Sequence, residues 1–272
     1  MKRALVVYPH ADPSKLYDGP EGQLWFGREL EGEKWDARIS TGYSGVAAPC
    51  LLTLEPPAVQ PHCFQRWYRD IHERVFSFAG PMREQDVTFR YPLPPLWPPL
   101  PSEVDRNPWE GRIDGVVAVM GNKGSTHPDE LYSMRVRTVQ ALHESGIRVD
   151  VYGRPGFDGA PWYRGEAGDK RELLSRYRFC LCLENCSCPN YVSEKLPEAL
   201  LAGCVPIYRG APNLEDYPVP LSCIVDPADM FDAIREYTAE DHAALLDRID
   251  PQAIAKALCP TSLYRSILSS VI

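Results

Sequence analysis

From Ile113 to Thr238 the sequence alternates between short apolar runs and amphipathic stretches. "IDGVVAVMGN", "IRVDVYG", "RFCLCLEN" and "CVPIYRG" read as strands, and "PDELYSMRVRTVQALHES", "DKRELLSRY", "SEKLPEALLAG" and "PADMFDAIREYT" read as the helices that follow them. In the first helix Leu131, Met134, Thr138 and Leu142 recur along one side, as a 3.6-residue period requires. Strands alternating with helices over this length need right-handed crossovers, so the pattern predicts a parallel sheet flanked by helices.

Upstream the rhythm is different. "RALVVYP" and "APCLLTLEPP" are strand-like runs, each closed by proline, and "HCFQRWYRDIHERVFSF" places Phe64, Trp67, Tyr68, Ile71 and Val75 near helical spacing before another strand. "SKLYDGPEGQLWFGRELEGEKWDARISTG" shows no helix and strand rhythm, so an opening βα unit is expected to be missing or degenerate. "RYPLPPLWPPLPSEVDRNPW" forbids regular structure for about twenty residues and reads as an extended linker, with Trp97 and Trp109 pinning it to the body. A chain of 272 residues has room for two modest domains, and this linker is the boundary.

The formal net charge of −8 argues against nucleic acid or an anionic membrane as partner, because both recruit excess Lys and Arg. Any anionic ligand must be met locally. Four of the nine cysteines crowd into "CLCLENCSC" at 180, 182, 186 and 188. The spacing lacks the paired CxxC knuckles of structural zinc sites. It reads instead as reduced thiols, with Cys180 and Cys182 as small hydrophobes on one strand face. The apolar run near the N-terminus is too short for a membrane span or an ordinary signal sequence, and the expected location is cytoplasmic.

Ligands of open parallel sheets sit beyond the carboxyl ends of the strands, the place that "LENCSCPNYVSEK" occupies. Ser193 is expected to cap the next helix, with Glu194 and Lys195 in its first turn and Pro197 early enough for its missing N–H to be harmless. Such a terminus attracts phosphate, and Lys195 adds a charge there. Glu194 would repel a diphosphate but suits a sugar or ribose diol. Equally, Glu194 and Lys195 read as a solvated first turn, where the helix dipole alone favours Glu.

The same stretch resembles the C-terminal signature of glycosyltransferase family 10, the α-1,3-fucosyltransferases. "YRF", "EN", "YVSEKL", "AGCVPIY" and "GAPNLEDY" occur in the family's order. "NKGSTHPDELYSMR" and "VDVYGRPG" resemble its Asn-Lys block, helix arginine and Asp-x-Tyr-Gly strand end, and "LLTLEPPAVQP" resembles the acidic strand end of the acceptor half. The blocks cover roughly residues 48 to 240.

This resemblance implies an α/β fold of GT-B type, with two Rossmann-like domains facing a cleft and a short N-terminal domain. Residues 1–91 would be the acceptor side and 92–111 the linker. Residues 112–250 would bind the nucleotide sugar, and 251–272 would be a helical segment packing back on the N-terminal domain. The implied activity is inverting transfer of L-fucose from GDP-β-L-fucose to a glycan or glycoconjugate. The sequence contains no Asp-x-Asp pair, so no metal is expected and fixed cations would stabilise the leaving GDP. The resemblance makes Arg135 and Lys195 the diphosphate pair, with Lys123 and its neighbour Asn122 beside them. Glu184, Asn185, Tyr191, Ser193 and Glu194 would hold nucleoside and sugar hydroxyls, and Tyr152 and Gly153 would face the guanosine. Glu55 matches the family's base, which takes the acceptor hydroxyl's proton; the alternative for Glu55 is a carboxylate capping a turn at Pro56. His62, His72 and His127 are further cleft candidates without a partner visible in sequence. A UDP- or GDP-linked pentose or hexose as donor, and a non-catalytic glycan- or nucleotide-binding relative, remain open.

Overall fold

The computed structural model describes residues 2–7, 14–20, 22–28, 31, 33–42, 48–79, 84–89, 100–154, 156–258 and 261–271. The chain divides into two compact units. One comprises Met1–Pro98, Pro189–Tyr191 and Leu258–Ile272, and the other comprises Pro99–Cys188 and Val192–Ala257. The division falls inside the proline-rich run, of which residues 92–99, Trp97 included, lie outside the described residues.

The first unit carries strands β1 (Arg3–Val7), β2 (Ser14–Gly19), β3 (Gly22–Gly27), β4 (Ala37–Ser40), β5 (Cys50–Leu52), β6 (Arg74–Ser77) and β7 (Val87–Thr88). They form one sheet in the order β2-β3-β1-β4-β5-β6-β7. All neighbours are parallel except β2 and β3. The stretch 14–42, which shows no rhythm in sequence, thus supplies three strands. "DGPEG" is turn chemistry for an antiparallel hairpin, which lies between β1 and β4 in the chain while those two strands pair directly in the sheet.

Alternation sorts the side chains of β1 to the two faces of the sheet. Ala4 and Val6 join Leu24, Phe26, Ile39, Leu52 and Phe76 in one cluster, whereas Leu5 and Val7 pack with Trp35. The short helix expected within "HCFQRWYRDIHERVFSF" shrinks to α1 (Arg66–Arg69) after a 3-10 turn. Its apolar members Trp67 and Ile71 are 65% and 63% exposed, and Arg69 is the residue it buries. A buried guanidinium needs partners; Arg69 finds them in Cys63 O at 2.9 Å and Ser77 Oγ at 2.9 Å. That requirement, not the apolar spacing, sets the turn.

In the second unit, helices α2 (Tyr132–Glu144), α3 (Lys170–Ser175) and α4 (Lys195–Leu201) alternate with β8 (Ile113–Val119), β9 (Val149–Tyr152), β10 (Tyr177–Leu183) and β11 (Val205–Arg209). The four strands form a parallel sheet in the order β11-β10-β8-β9. Helices on both faces leave such strands with continuous apolar runs, and in β10 every residue but Arg178 is buried. Helices α5 (Met230–Glu236), α6 (Ala239–Arg248) and α7 (Pro251–Ala257) complete the unit. Trp109 is buried there against Phe179, Tyr237 and His242. Helix α8 (Thr261–Val271) belongs to the first unit, where Leu263, Tyr264, Ile267 and Leu268 enter the sheet's core cluster.

Candidate functional site

The second unit's sheet reverses direction between β8 and β10. The chain moves outward from β8 to β9, then returns past β8 to lay down β10 and β11. A crevice opens beyond the carboxyl ends of strands at such a reversal, and the loop after β10 and the start of α2 meet there.

Glu184, the first residue after β10, is fully buried. Its Oε1 accepts from Ser193 N at 2.7 Å, and its Oε2 accepts from Ser193 Oγ at 2.6 Å and from Lys195 Nζ at 3.2 Å. A carboxylate out of water must be paired in this way. Gly210 flanks it, and a Cβ there would overlap Glu184 Cγ and the Tyr208 hydroxyl. The expected cap is corrected here: α4 starts at Lys195 with Glu194 at the N-cap position and no side-chain cap bond. Ser193 stands one position earlier: its hydroxyl donates to Glu184 and accepts from Lys195 N at 3.5 Å and from Lys195 Nζ at 2.9 Å.

Around Lys195 the charges form a ladder. Glu194 Oε1 lies 3.6 Å from Lys195 Nζ and 3.8 Å from Lys170 Nζ, and Lys170 also pairs with Glu198 at 2.5 Å. Burial alone would lower the Lys195 ammonium, but Glu184 and Glu194 outweigh it and hold the group above its ordinary value. Burial would raise the Glu194 carboxyl, yet Lys195 and Lys170 hold it below the usual range. Glu194 and Lys195 therefore stay charged at neutral pH.

Arg135 lies on the buried face of α2. Its Nε and Nη2 donate to Leu183 O at 2.9 and 2.7 Å, and Nη2 donates to Asn185 Oδ1 at 2.8 Å. The guanidinium is thus fixed at the end of β10, close enough to Lys195 to oppose its charge. Arg137, two residues on, is exposed.

Asn122, Tyr152 and Gly153 bond elsewhere in the second unit. Asn122 and Lys123 are exposed in the loop after β8, where Asn122 Nδ2 donates to Gly156 O and Lys123 makes no ion pair among the described residues. Tyr152 turns into a different network: its hydroxyl is 3.4 Å from that of Tyr177, which donates to buried Asp150 at 2.9 Å. Arg148 and Arg164 close on the same Asp150 at 2.8 and 2.6 Å. Gly153 is held by its backbone, donating to Gly165 O and accepting from the Tyr163 hydroxyl. Tyr191 belongs to the first unit, its ring 5.3 Å from that of Phe78. Glu55, also in the first unit, is half-buried in a bend three residues beyond β5, before a turn closed by Val59 N and Gln60 N on Pro56 O.

The histidines are occupied locally: His62 pairs with Gly42 O, His72 with Ala48 O, and His127 Nδ1 accepts from Asp129 N. Cys180 and Cys182 are buried on β10, and all eight described cysteines are free. Among the described residues no group of three or more His, Cys, Asp or Glu is placed to hold a metal ion, and no helix is long and apolar enough to cross a membrane. Lys170 and Glu198 were not legible in the sequence. Lys170 opens α3 directly after its Asp169 cap, and only the packing of α3 beside α4 reveals its partners. Chemically, the cluster presents two fixed cations for an anion, flanked by a carboxylate that accepts hydroxyls.

Residues 114–251 match the profile of the family described as "Glycosyltransferase family 10 (fucosyltransferase) C-term". A fucosyltransferase-like protein of Arabidopsis thaliana is 38% identical over 85 residues, which are 31% of this chain and 16% of that one. The Homo sapiens 4-galactosyl-N-acetylglucosaminide 3-alpha-L-fucosyltransferase is 27% identical over 252 residues, 90% of this chain and 59% of that enzyme. This chain therefore spans well under two thirds of both relatives. A crystal structure of an alpha1,3-fucosyltransferase with GDP-fucose superposes with a TM-score of 0.55 at 14% identity, covering 98% of this chain and 90% of that one. The shared fold is of GT-B type, built from two Rossmann-like α/β units.

Proposed function

The chain belongs to glycosyltransferase family 10, and from that premise we propose that it transfers L-fucose from GDP-β-L-fucose to a hydroxyl of a glycan acceptor, with inversion and without a metal ion. The observation that carries this reading is the convergence of Lys195 and Arg135 at the sheet's reversal point, both held in place by other protein groups. Fixed cations of this kind stabilise charge as it develops on a leaving diphosphate, and removing one such donor typically costs about 10²–10³-fold in rate.

In this mechanism the acceptor oxygen attacks the fucose anomeric carbon opposite the GDP, and Glu55 takes the hydroxyl proton. The bond from the anomeric carbon to the β-phosphate oxygen breaks, and Lys195 and Arg135, with Lys123 from the exposed loop, meet the charge left on GDP. Glu194 accepts from the ribose diol, and Asn185 and Tyr191 bind further hydroxyls of the nucleotide sugar. Glu184 and Ser193 act through Lys195, which they hold. Asn122, Tyr152 and Gly153 shape the guanosine side. We place the reaction in the reducing cytoplasm, which suits the eight free thiols among the described residues.

Calorimetric titration with GDP and with UDP, first in chelator and then with manganese, tests the donor. Micromolar GDP affinity indifferent to both chelator and UDP supports the reading; preference for UDP, or dependence on the metal, overturns it. With GDP-fucose and a glycan acceptor, Glu55→Gln should lose turnover by orders of magnitude at unchanged GDP affinity. Lys195→Ala and Arg135→Ala should weaken both. Equal loss of GDP binding in Glu55→Gln would sink the base assignment.

A further inference from the structure

Beyond the carboxyl end of β11 lies a cavity of about 330 Å³, formed wholly within the second unit and separate from the ladder of charges around Lys195. Its size falls within the range of small-molecule sites. Its walls are braced. Ser187 Oγ donates to Gly210 O at 3.0 Å, and Ala211 N donates to the Tyr208 hydroxyl at 3.0 Å. The facing wall runs alongside β11, where Val225 N donates to Pro206 O and Tyr208 N to Val225 O, both at 2.9 Å.

The lining has a definite chemistry. Arg209 and Asp226 form an ion pair at 3.2 Å whose side chains are 50% and 40% exposed; Asp226 also accepts from Ala228 N at 2.8 Å, and both groups have the capacity for further bonds. Leu214, Leu221 and Ile224 supply an aliphatic wall, and Leu221 is 46% exposed, one of the few large apolar side chains left open on the described surface. The charges cancel, which disfavours a phosphate or a carboxylate as ligand. A carboxylate and a guanidinium side by side, facing an aliphatic surface, suit vicinal hydroxyls on one face of a ring and C–H groups on the other.

We propose that this cavity binds a neutral pyranose and that it holds one residue of the acceptor glycan. The second half of the statement rests on the glycosyltransferase reading above. The cavity lies one strand beyond the Glu184 cluster, and the Gly210 backbone, which Glu184 touches on one side, lines it on the other. A saccharide seated there would sit next to the donor machinery without touching it.

The test is saturation-transfer NMR on the full chain, with and without saturating GDP, using methyl β-D-galactopyranoside and methyl N-acetyl-β-D-glucosaminide as probes. At least one should bind. Asp226→Asn and Leu221→Asp, both at exposed or half-exposed positions, should each weaken it about tenfold, the loss of one good contact, at unchanged GDP affinity. In turnover assays the same two variants should raise the acceptor KM and leave the GDP-fucose KM alone. Absence of binding by both probes, or binding indifferent to both substitutions, overturns the pocket. If GDP fails to bind while a saccharide does, the donor reading falls and the pocket stands.

Discussion

Glu184→Gln is the sharpest probe of the charge cluster, because it changes one charge and almost no volume. The carboxylate is fully buried and receives three hydrogen bonds, two from Ser193 and one from Lys195. The amide oxygen can keep the bond from Ser193 N, and the serine hydroxyl can rotate to accept from the amide NH₂. The NH₂ group then faces the Lys195 ammonium, which loses its 3.2 Å contact and retains Glu194 at 3.6 Å. Orphaning a buried charge completely costs about 3–5 kcal/mol. With Glu194 still in place the cost should be about 2–3 kcal/mol, which for a unit of this size lowers the melting temperature by about 5–10 °C. Urea denaturation followed by circular dichroism measures it, and adding Lys195→Met to Glu184→Gln should recover part of the loss, giving a coupling of at least about 1 kcal/mol. Additive single and double variants, or a Glu184→Gln protein as stable as the parent, would refute the pairing.

Three further outcomes follow from the geometry. Lys170→Met leaves Glu194 and Glu198 without the cation they share; GDP affinity should fall about three- to tenfold and Lys170→Arg should restore most of it, as titration of the three proteins would show. Gly153→Ala combines a φ of +142° with a Cβ that overlaps the Met120 carbonyl, so it should cost about 2–4 kcal/mol in denaturant. Burial pushes His242 below its ordinary value of 6.5, against the pull of the Gly203 carbonyl at 2.8 Å. The unfolded chain then binds the proton first, so stability should be full above pH 6.5 and decline as the pH falls below it, and His242→Gln should flatten that part of a pH series of melts.

How much of this was legible in sequence depended on which atoms made the decisive contact. β10 and β11 could be read because burial on both faces leaves an unbroken apolar run, and the alternation with helices then implied a parallel sheet. The hairpin β2–β3 was missed because its strands mix Lys15, Asp18 and Gln23 with apolar residues and only the turn chemistry marks it. At the site, Glu184, Ser193 and Lys195 were legible as a group because they sit within twelve residues, yet the bond from Ser193 to Glu184 was not. Capping rules consider only the hydroxyl's accepting side, which here faces Lys195 N at 3.5 Å, whereas its proton goes to a buried carboxylate. Lys170 was illegible for a different reason, since its partners Glu194 and Glu198 come from another helix.

The ladder also explains why this site can hold its cations without a ligand. Lys170 and Lys195 are paired with Glu184, Glu194 and Glu198, and Arg135 is held by Leu183 O and Asn185 Oδ1. Networks of this kind are weak contributors to stability compared with apolar packing of the same volume. What they provide is position. A diphosphate entering such a site displaces little water from Lys195 and asks for little movement, because the ammonium is already desolvated and already aimed by Glu184. On the proposed function its arrival would loosen the hold of Glu194 on Lys195, and the released carboxylate would take up hydroxyls of the same ligand. On this argument Glu194 belongs to both states, balancing charge in the empty site and reading a diol in the filled one, which a glutamine at 194 could do only in the second.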